Sequence, residues 1–403
     1  MEINGYSTYI YNKIQPIKMT EDTRHNKLLY EWQLPIDAEE PIIDAKRKII
    51  DPHHHLWDTQ DPLSANPTSG RPDLRWQTRY LIDDITKDIN NSGHNVVKTV
   101  FIEACAFYEG TNLALAPLNE TVRVQKIHDN NRGKTEVAAG IVGFVDLSLD
   151  TATVKHALEA HIQAAPNLKG VRFANSFDLN VSQPHNLMVD ADPNSLLNNP
   201  EILQKCILLE PLVRDNIRLV ASYGLSLDLW SHHNHLPQII DTVKAIPSCT
   251  FILDHIGGPL RGRGKWSDLR KETETQWRAD IAELAKLPNV FVKVGGAGMT
   301  SMGFPNNESV WPRGDKPPNS KEVAIAVFPW FKHVITSFGT DRCMFESNFP
   351  VCKASFSYKV YWNACKRIAD RLNLSEKEKD DIFSGTAERV YRLNDVSSTA
   401  GKL

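Results

Sequence analysis

From Lys48 onward the chain repeats one pattern eight times: a short run rich in β-branched and aromatic residues, then a longer amphipathic stretch. The runs are Lys48–Asp51, Val96–Glu103, Val137–Asp146, Leu168–Phe173, Leu225–Trp230, Thr250–Asp254, Val290–Val294 and Cys343–Glu346. Strands separated by helix-length segments pair in parallel, because a hairpin turn cannot span the gap. Helices are predicted over Leu81–Asn90, Asn119–Asn131, Thr151–Ala164, Ile202–Tyr223, Leu236–Ala245, Trp266–Lys286 and Lys321–Phe338, with a two-part helical tail from Tyr358 to Tyr391. Eight βα units in series predict an α/β fold, a closed (β/α)8 TIM barrel rather than an open doubly wound sheet. Residues 1–46 are polar with prolines at 16, 35 and 41, and read as an N-terminal arm. The barrel then spans 47–395, with a C-terminal tail over 396–403.

Nearly every run ends in a polar or titratable residue: His53 and His55, Glu103, Asp146, Arg172, Asp228, Asp254 with His255, Lys293, and Ser347 with Asn348. The C-terminal strand ends of a (β/α)8 barrel form its catalytic face, so these side chains converge on one mouth.

The first run leads into Asp51-Pro52-His53-His54-His55-Leu56-Trp57-Asp58. Side chains alternate along a strand, so His53 and His55 share a face and His54 takes the other. Two imidazoles in one small volume can ligate a divalent metal, move a proton or donate to an oxyanion. Phe251-Ile252-Leu253-Asp254-His255-Ile256-Gly257-Gly258-Pro259 adds a third imidazole at the same mouth. Arg172, in Lys169-Gly170-Val171-Arg172-Phe173, is a planar fork suited to a substrate carboxylate. Glu103 is read as the orienter of a histidine, with proton acceptor and partner of Arg172 as alternatives.

Two further clusters are set aside. His232, His233 and His235 precede Pro237 and read as a solvated loop, and Gly295-Gly296-Ala297-Gly298 lacks any phosphate-loop register and reads as a permissive turn.

With a net charge of -3 and no basic stripe, nucleic acid is excluded as an expected partner. Six cysteines with no Cys-x-x-Cys spacing argue against a disulfide framework and suit a reducing, cytoplasmic setting. No window approaches the ~18 apolar residues of a membrane span.

These segments, with Asn289-Val290-Phe291-Val292-Lys293 and the stretch from Phe338 to Pro350, resemble the amidohydrolase-related (amidohydrolase 2) family. The similar branch contains pyrone-dicarboxylate lactonase and fuconolactonase. The resemblance implies His-x-His on the first strand, a histidine on the sixth and an aspartate in Ser-Asp-x-Pro on the eighth. Here that last position is Asn348, in Ser347-Asn348-Phe349-Pro350. An amide is neutral and lacks the basicity of a carboxylate. Three outcomes stay open: Glu346 supplies the carboxylate, His255 or Glu103 is the base, or the site binds without turnover.

The expectation is a hydrolase opening a lactone or similar cyclic ester of a small acidic molecule. His53, His55, His255, Glu346 and Asn348 carry the chemistry, and Arg172, Glu103, Trp57 and Lys293 bind substrate. One divalent metal, Zn2+ or Mn2+, is held by His53, His55 and His255, or none is bound. The alternatives are a metal-dependent decarboxylase of an aromatic or muconate-type acid, and a non-catalytic binding barrel. Assembly as a homo-oligomer is an open expectation.

Overall fold

The eight apolar runs form eight parallel strands of one sheet, in chain order. They are β1 Lys48–His54, β2 Asn95–Ile102, β3 Glu136–Phe144, β4 Leu168–Asn175, β5 Ser226–Ser231, β6 Phe251–Leu253, β7 Val290–Val294 and β8 Cys343–Phe345. The structure is a computed structural model and describes residues 27–58, 79–178, 192–261, 264–305 and 316–394. The sheet curls into a (β/α)8 barrel. Its seam between β8 and β1 has no continuous ladder: one bridge joins His54 to Phe349. Around it, Asn348 N donates to His53 O at 2.9 Å, and His55 N donates to Phe349 O at 2.8 Å. Buried Asp51 completes the seam by accepting from Ser347 N and Oγ at 3.0 and 2.6 Å, and from Tyr358 Oη at 2.8 Å.

Outside the strands lie α1 Lys27–Glu39, α2 Ile82–Ser92, α3 Leu118–Asn130, α4 Thr151–Ala164, α5 Pro211–Ser222, α6 Leu236–Ala245, α7 Arg270–Ala285, α8 Ser320–Phe338 and α9 Tyr358–Arg371. Local signals set their starts. Asp150 caps α4 by accepting from Ala152 N and Thr153 N, and Asn319 with Glu322 forms a capping box on α8. Each such cap is worth about 1 kcal/mol.

The single helix expected over Ile202–Tyr223 is broken into Pro200–Lys205, a 3-10 turn at Ile207–Leu209, and α5. Cys206 at φ 84° cannot continue a helix, and Pro211 starts a new one at its first position. The arm holds a helix that its weak periodicity conceals. Just beyond α1, the carboxylate of Glu40 accepts from Ser320 N and Asn363 Nδ2, at 3.0 and 3.1 Å, docking the arm on α8 and α9. Residues 1–26 and the expected tail lie outside the described residues.

The N-terminal end of the barrel is plugged by the chain after α9. Ala387, Val390, Tyr391 and Leu393 pack against the inward-facing Ile50, Val100, Ile102, Val142, Ile252 and Met344. Lys98 Nζ ties the plug down by donating to Leu393 O at 2.7 Å. Among the described residues, no helix is long and apolar enough to cross a membrane.

Candidate active site

Ile50 faces the barrel interior, and a register shift between Asp51 and His54 re-sets the alternation, so that β1 delivers His53 inward and His54 outward. His54 Nε2 meets Thr99 Oγ1 at 2.8 Å, and burial pushes its pKa down to about 3. His53 and His55 meet tip to tip, Nε2 to Nε2 at 3.2 Å. His55 Nδ1 lies 2.9 Å from Ile102 O. A carbonyl only accepts, so that nitrogen carries the proton and His55 Nε2 presents a lone pair to the site. Burial first, then His53 and Arg172, keep His55 neutral. Trp57, expected at the substrate, is buried and stacks on His55 at 5.9 Å.

His255 leaves β6 with φ 53°, followed by Ile256 at 53°, and Asn348 beyond β8 sits at 54°. For non-glycine residues this left-handed backbone costs about 1–3 kcal/mol each, and it gathers where strand ends re-aim side chains into a site. His255 packs 4.5 Å from the His53 ring and edge-on to Trp230 at 4.8 Å. Its Nδ1 donates to Glu346 Oε1 at 2.6 Å, and its backbone N donates to the same oxygen at 3.1 Å.

Glu346 is fully buried. Its Oε2 lies 2.7 Å from His53 Nδ1, although without a well-aligned hydrogen bond. Burial would raise its pKa, but His255 and His53 outweigh that and hold it below the usual carboxylate range. Both oxygens thus face imidazoles from behind, which orients rings and does not present a base to substrate. The loop after β7 makes room for this arrangement. A Cβ on Gly295 would fall 2.2 Å from Glu346 Cγ, and one on Gly296 (φ +73°) 2.6 Å from His255 Cβ. The glycine run is a close-packing device.

Asn348 Oδ1 stands 3.3 Å from His55 Nε2, and its Nδ2 donates to Cys352 Sγ at 3.4 Å. Ligands held about 2.1 Å from a zinc ion are separated from one another by about 3.0–3.4 Å. The distances from His55 Nε2 to His53 Nε2 and to Asn348 Oδ1, 3.2 and 3.3 Å, both fall in that span. His53, His255 and Glu346 also group within 4.8 Å. In that second group the 2.6 and 2.7 Å approaches to Glu346 are too close for two ligands of one ion.

Arg172, expected to bind a substrate carboxylate, is paired with protein carboxylates. Its Nε donates to Glu103 Oε1 at 2.7 Å, its Nη2 donates to Glu103 O at 2.6 Å, and its Nη1 lies 3.6 Å from Asp254 Oδ2. Glu103 is therefore the partner of Arg172, and among the described residues no histidine hydrogen-bonds it. Lys293 also lies behind the histidines, fully buried, with Nζ 2.6 Å from Asp228 Oδ2 and 3.0 Å from Asp254 Oδ1. Burial opposes its charge, yet the two carboxylates keep its pKa above the ordinary value. Asp228 and Asp254, expected at the barrel mouth, serve as counter-ions of Lys293, whereas Asp51, two positions before His53, is a seam residue that sequence reasoning gives no role.

His232, His233 and His235 are buried, contrary to a solvated loop. His235 Nε2 meets Phe177 O at 2.8 Å, and His233 Nδ1 accepts from Leu260 N at 3.2 Å, so these rings pin neighbouring loops. All six cysteines are free thiols.

The chain is 28% identical over 351 residues to an uncharacterized protein, y4mH, of Sinorhizobium fredii, covering 86% of this chain and 98% of that one. It is 20% identical over 376 residues to an L-rhamnono-gamma-lactonase of Scheffersomyces stipitis, covering 87% of this chain and 100% of that one. Its fold is similar to that of an amidohydrolase from Burkholderia multivorans solved with bound zinc, at TM-score 0.62 and 18% identity, covering 85% and 99% of the two chains. The sequence model of the family described as Amidohydrolase matches residues 50–393, and the chain belongs to that family of hydrolases.

Proposed function

We propose that the protein opens a small, uncharged lactone by hydrolysis, with His255 as the proton-transfer group and Glu346 as its orienter. The observation that carries this reading is the double grip of Glu346 Oε1 on His255. With Nδ1–H donated to a carboxylate, the ring presents Nε2 as a base and the imidazolium that follows is stabilised from behind. His255 Nε2 takes a proton from water as the water oxygen bonds to the lactone carbonyl carbon. The ring C–O bond then breaks, and His255 returns the proton to the departing alkoxide. Of the neighbouring pair, His53 Nε2 can carry a proton toward the developing oxyanion, while the bare Nε2 of His55 accepts and does not donate.

His53, His55 and Asn348 are the residues that would hold a divalent ion. The chemistry such an ion supplies when bound is polarisation of the carbonyl and acidification of water. The pair His53 and Glu346 has the carboxylate–histidine arrangement that supports such a ligand.

Charge favours an uncharged substrate over the acidic one first expected. Among the described residues around the histidines, the cations Arg172 and Lys293 face four carboxylates, Glu103, Asp228, Asp254 and Glu346. A carboxylate on the substrate would enter a site already negative, where Arg172 is flanked by two acids. The name of the Scheffersomyces relative denotes a lactone of this uncharged kind.

The test is acid release from a panel of uncharged aldonolactones and of pyrone dicarboxylates, with and without added zinc. Faster opening of the uncharged set, lost in His255→Asn, is expected. Release of carbon dioxide from an aromatic acid with no lactone opening would replace this reading by decarboxylation.

A further inference from the structure

Behind His53 lies a file of buried groups that the hydrolytic reading does not use. Tyr391, in the plug, donates its hydroxyl to Asp228 Oδ2 at 2.6 Å. The same oxygen accepts from Lys293 Nζ at 2.6 Å. Lys293 Nζ also reaches Asp254 Oδ1 at 3.0 Å and His53 Nδ1 at 3.3 Å. Tyr391, Asp228, Lys293, Asp254 and His53 are all fully buried. Lys293 Nζ hydrogen-bonds Asp228 Oδ2 and faces His53 Nδ1, with Asp254 Oδ1 close by but without a well-aligned hydrogen bond, so the ammonium is held between the Asp228 carboxylate and the His53 ring.

Two opposed charges therefore meet at that ring nitrogen. The ammonium of Lys293 favours a bare Nδ1 with the proton on Nε2, facing the lone pair of His55. Glu346 Oε2, 2.7 Å away, favours the opposite arrangement. The balance depends on where Lys293 Nζ is held, and Asp228 holds it. Asp228 is itself fixed by Tyr391 on one oxygen and by Ser226 Oγ, at 3.4 Å, on the other.

We propose that Tyr391, Asp228 and Lys293 form a positioning chain through which the C-terminal plug sets the ring orientation and tautomer of His53. The plug is thereby part of the catalytic apparatus as well as a cover for the barrel floor. Tyr391 touches no substrate; it acts through two intermediaries. The inference rests on His53 as a site residue of the proposed lactonase.

The test compares Tyr391→Phe with Val390→Ala in the full chain. Val390 packs in the same apolar cluster, and its side chain has no polar atom with which to bond Asp228 or Lys293. Histidine-selective 15N spectra are recorded without substrate, on chelator-treated and on zinc-loaded protein. Tyr391→Phe is expected to move the ring 15N signals of His53 in both states and to lower kcat about 10-fold with KM unchanged, the effect of losing a group that orients an imidazole. Val390→Ala is expected to lower Tm and leave both readouts in place. Ser226→Ala, which frees the other oxygen of Asp228, gives the same shift in a milder variant if Tyr391→Phe does not fold. Unmoved His53 signals in Tyr391→Phe and Ser226→Ala, or an equal shift in Val390→Ala, overturn the proposal. Absence of lactone turnover in the unmodified protein would sink the proposed function and leave the spectral comparison intact.

Discussion

The Nδ1–H and the backbone N–H of His255 both donate to one oxygen, Glu346 Oε1, at 2.6 and 3.1 Å. A single carboxylate thus fixes the position of the residue and the tautomer of its ring. Removing its charge by Glu346→Gln is expected to lower kcat by about 10–100-fold while the protein stays folded. Steady-state kinetics on the best lactone checks this, and an unchanged kcat rejects the orienting role. His255→Asn is expected to lose at least about 100-fold.

Asn348 leaves the histidine pair without an anionic neighbour at the tip. In Asn348→Asp, a carboxylate replaces the oxygen 3.3 Å from His55 Nε2. Zinc affinity is expected to rise by about 10-fold or more, measured by competition with a chelator. An unaltered affinity would show that His53 and His55 do not share an ion with residue 348.

Gly296 leaves no room for a side chain beside His255. Gly296→Ala is expected to displace the ring and reduce kcat about 100-fold, the penalty of a displacement of about 1 Å at a reacting group. Circular dichroism separates this from unfolding. Wild-type turnover in the variant would mean that the loop yields and His255 does not.

Arg172 and Glu103 form a buried pair. Arg172→Met strands Glu103 and Asp254, so a stability loss of about 3–5 kcal/mol is expected in urea, with a smaller loss in the double variant carrying Glu103→Gln. A stable Arg172→Met protein that loses only its affinity for an acidic substrate would restore the anchoring role.

His161 is buried beside Thr121 Oγ1, and burial pushes its pKa down to about 4. Between that value and 6.5 the unfolded chain binds the proton and the folded chain does not, so stability is complete above about 6.5 and falls as pH drops. The contribution lost by pH 5 is about 2 kcal/mol. Asp51, pushed up to about 6 by burial, acts in the opposite sense: its folded form holds the proton, and stability falls as pH rises from about 4 to 6. Comparing His161→Gln with the wild type isolates the first effect, because Asp51 is common to both. Equal pH dependence in the two proteins would show that His161 titrates freely in the fold.

The strands were legible because short continuous apolar runs, rich in β-branched and aromatic residues, recur between helix-length segments, and every predicted run overlaps an observed strand. The pairing of His53 with His55 followed from the alternation of side chains along a strand. Partnerships between charges were not legible. Arg172 meets Glu103 across 69 positions and Tyr391 meets Asp228 across 163, and only register and barrel curvature decide such meetings. An arginine at a strand end looks identical in sequence whether a substrate or a neighbouring strand answers it. The helix in the arm escaped for a related reason: its mean hydropathy pattern is weak, and it is held by polar contacts made around Glu40 to distant helices. His232, His233 and His235 read as solvated because each is polar, whereas backbone partners make the burial of His233 and His235 affordable.

The join between the last strand and the first is stapled by Asp51, Ser347 and a few backbone bonds, without a full ladder. Local opening starts where the fewest cooperative bonds must break. That place adjoins His53, His55 and Asn348, so heat deranges the reacting groups while the remaining strands still hold, and turnover fails at a lower temperature than the ellipticity.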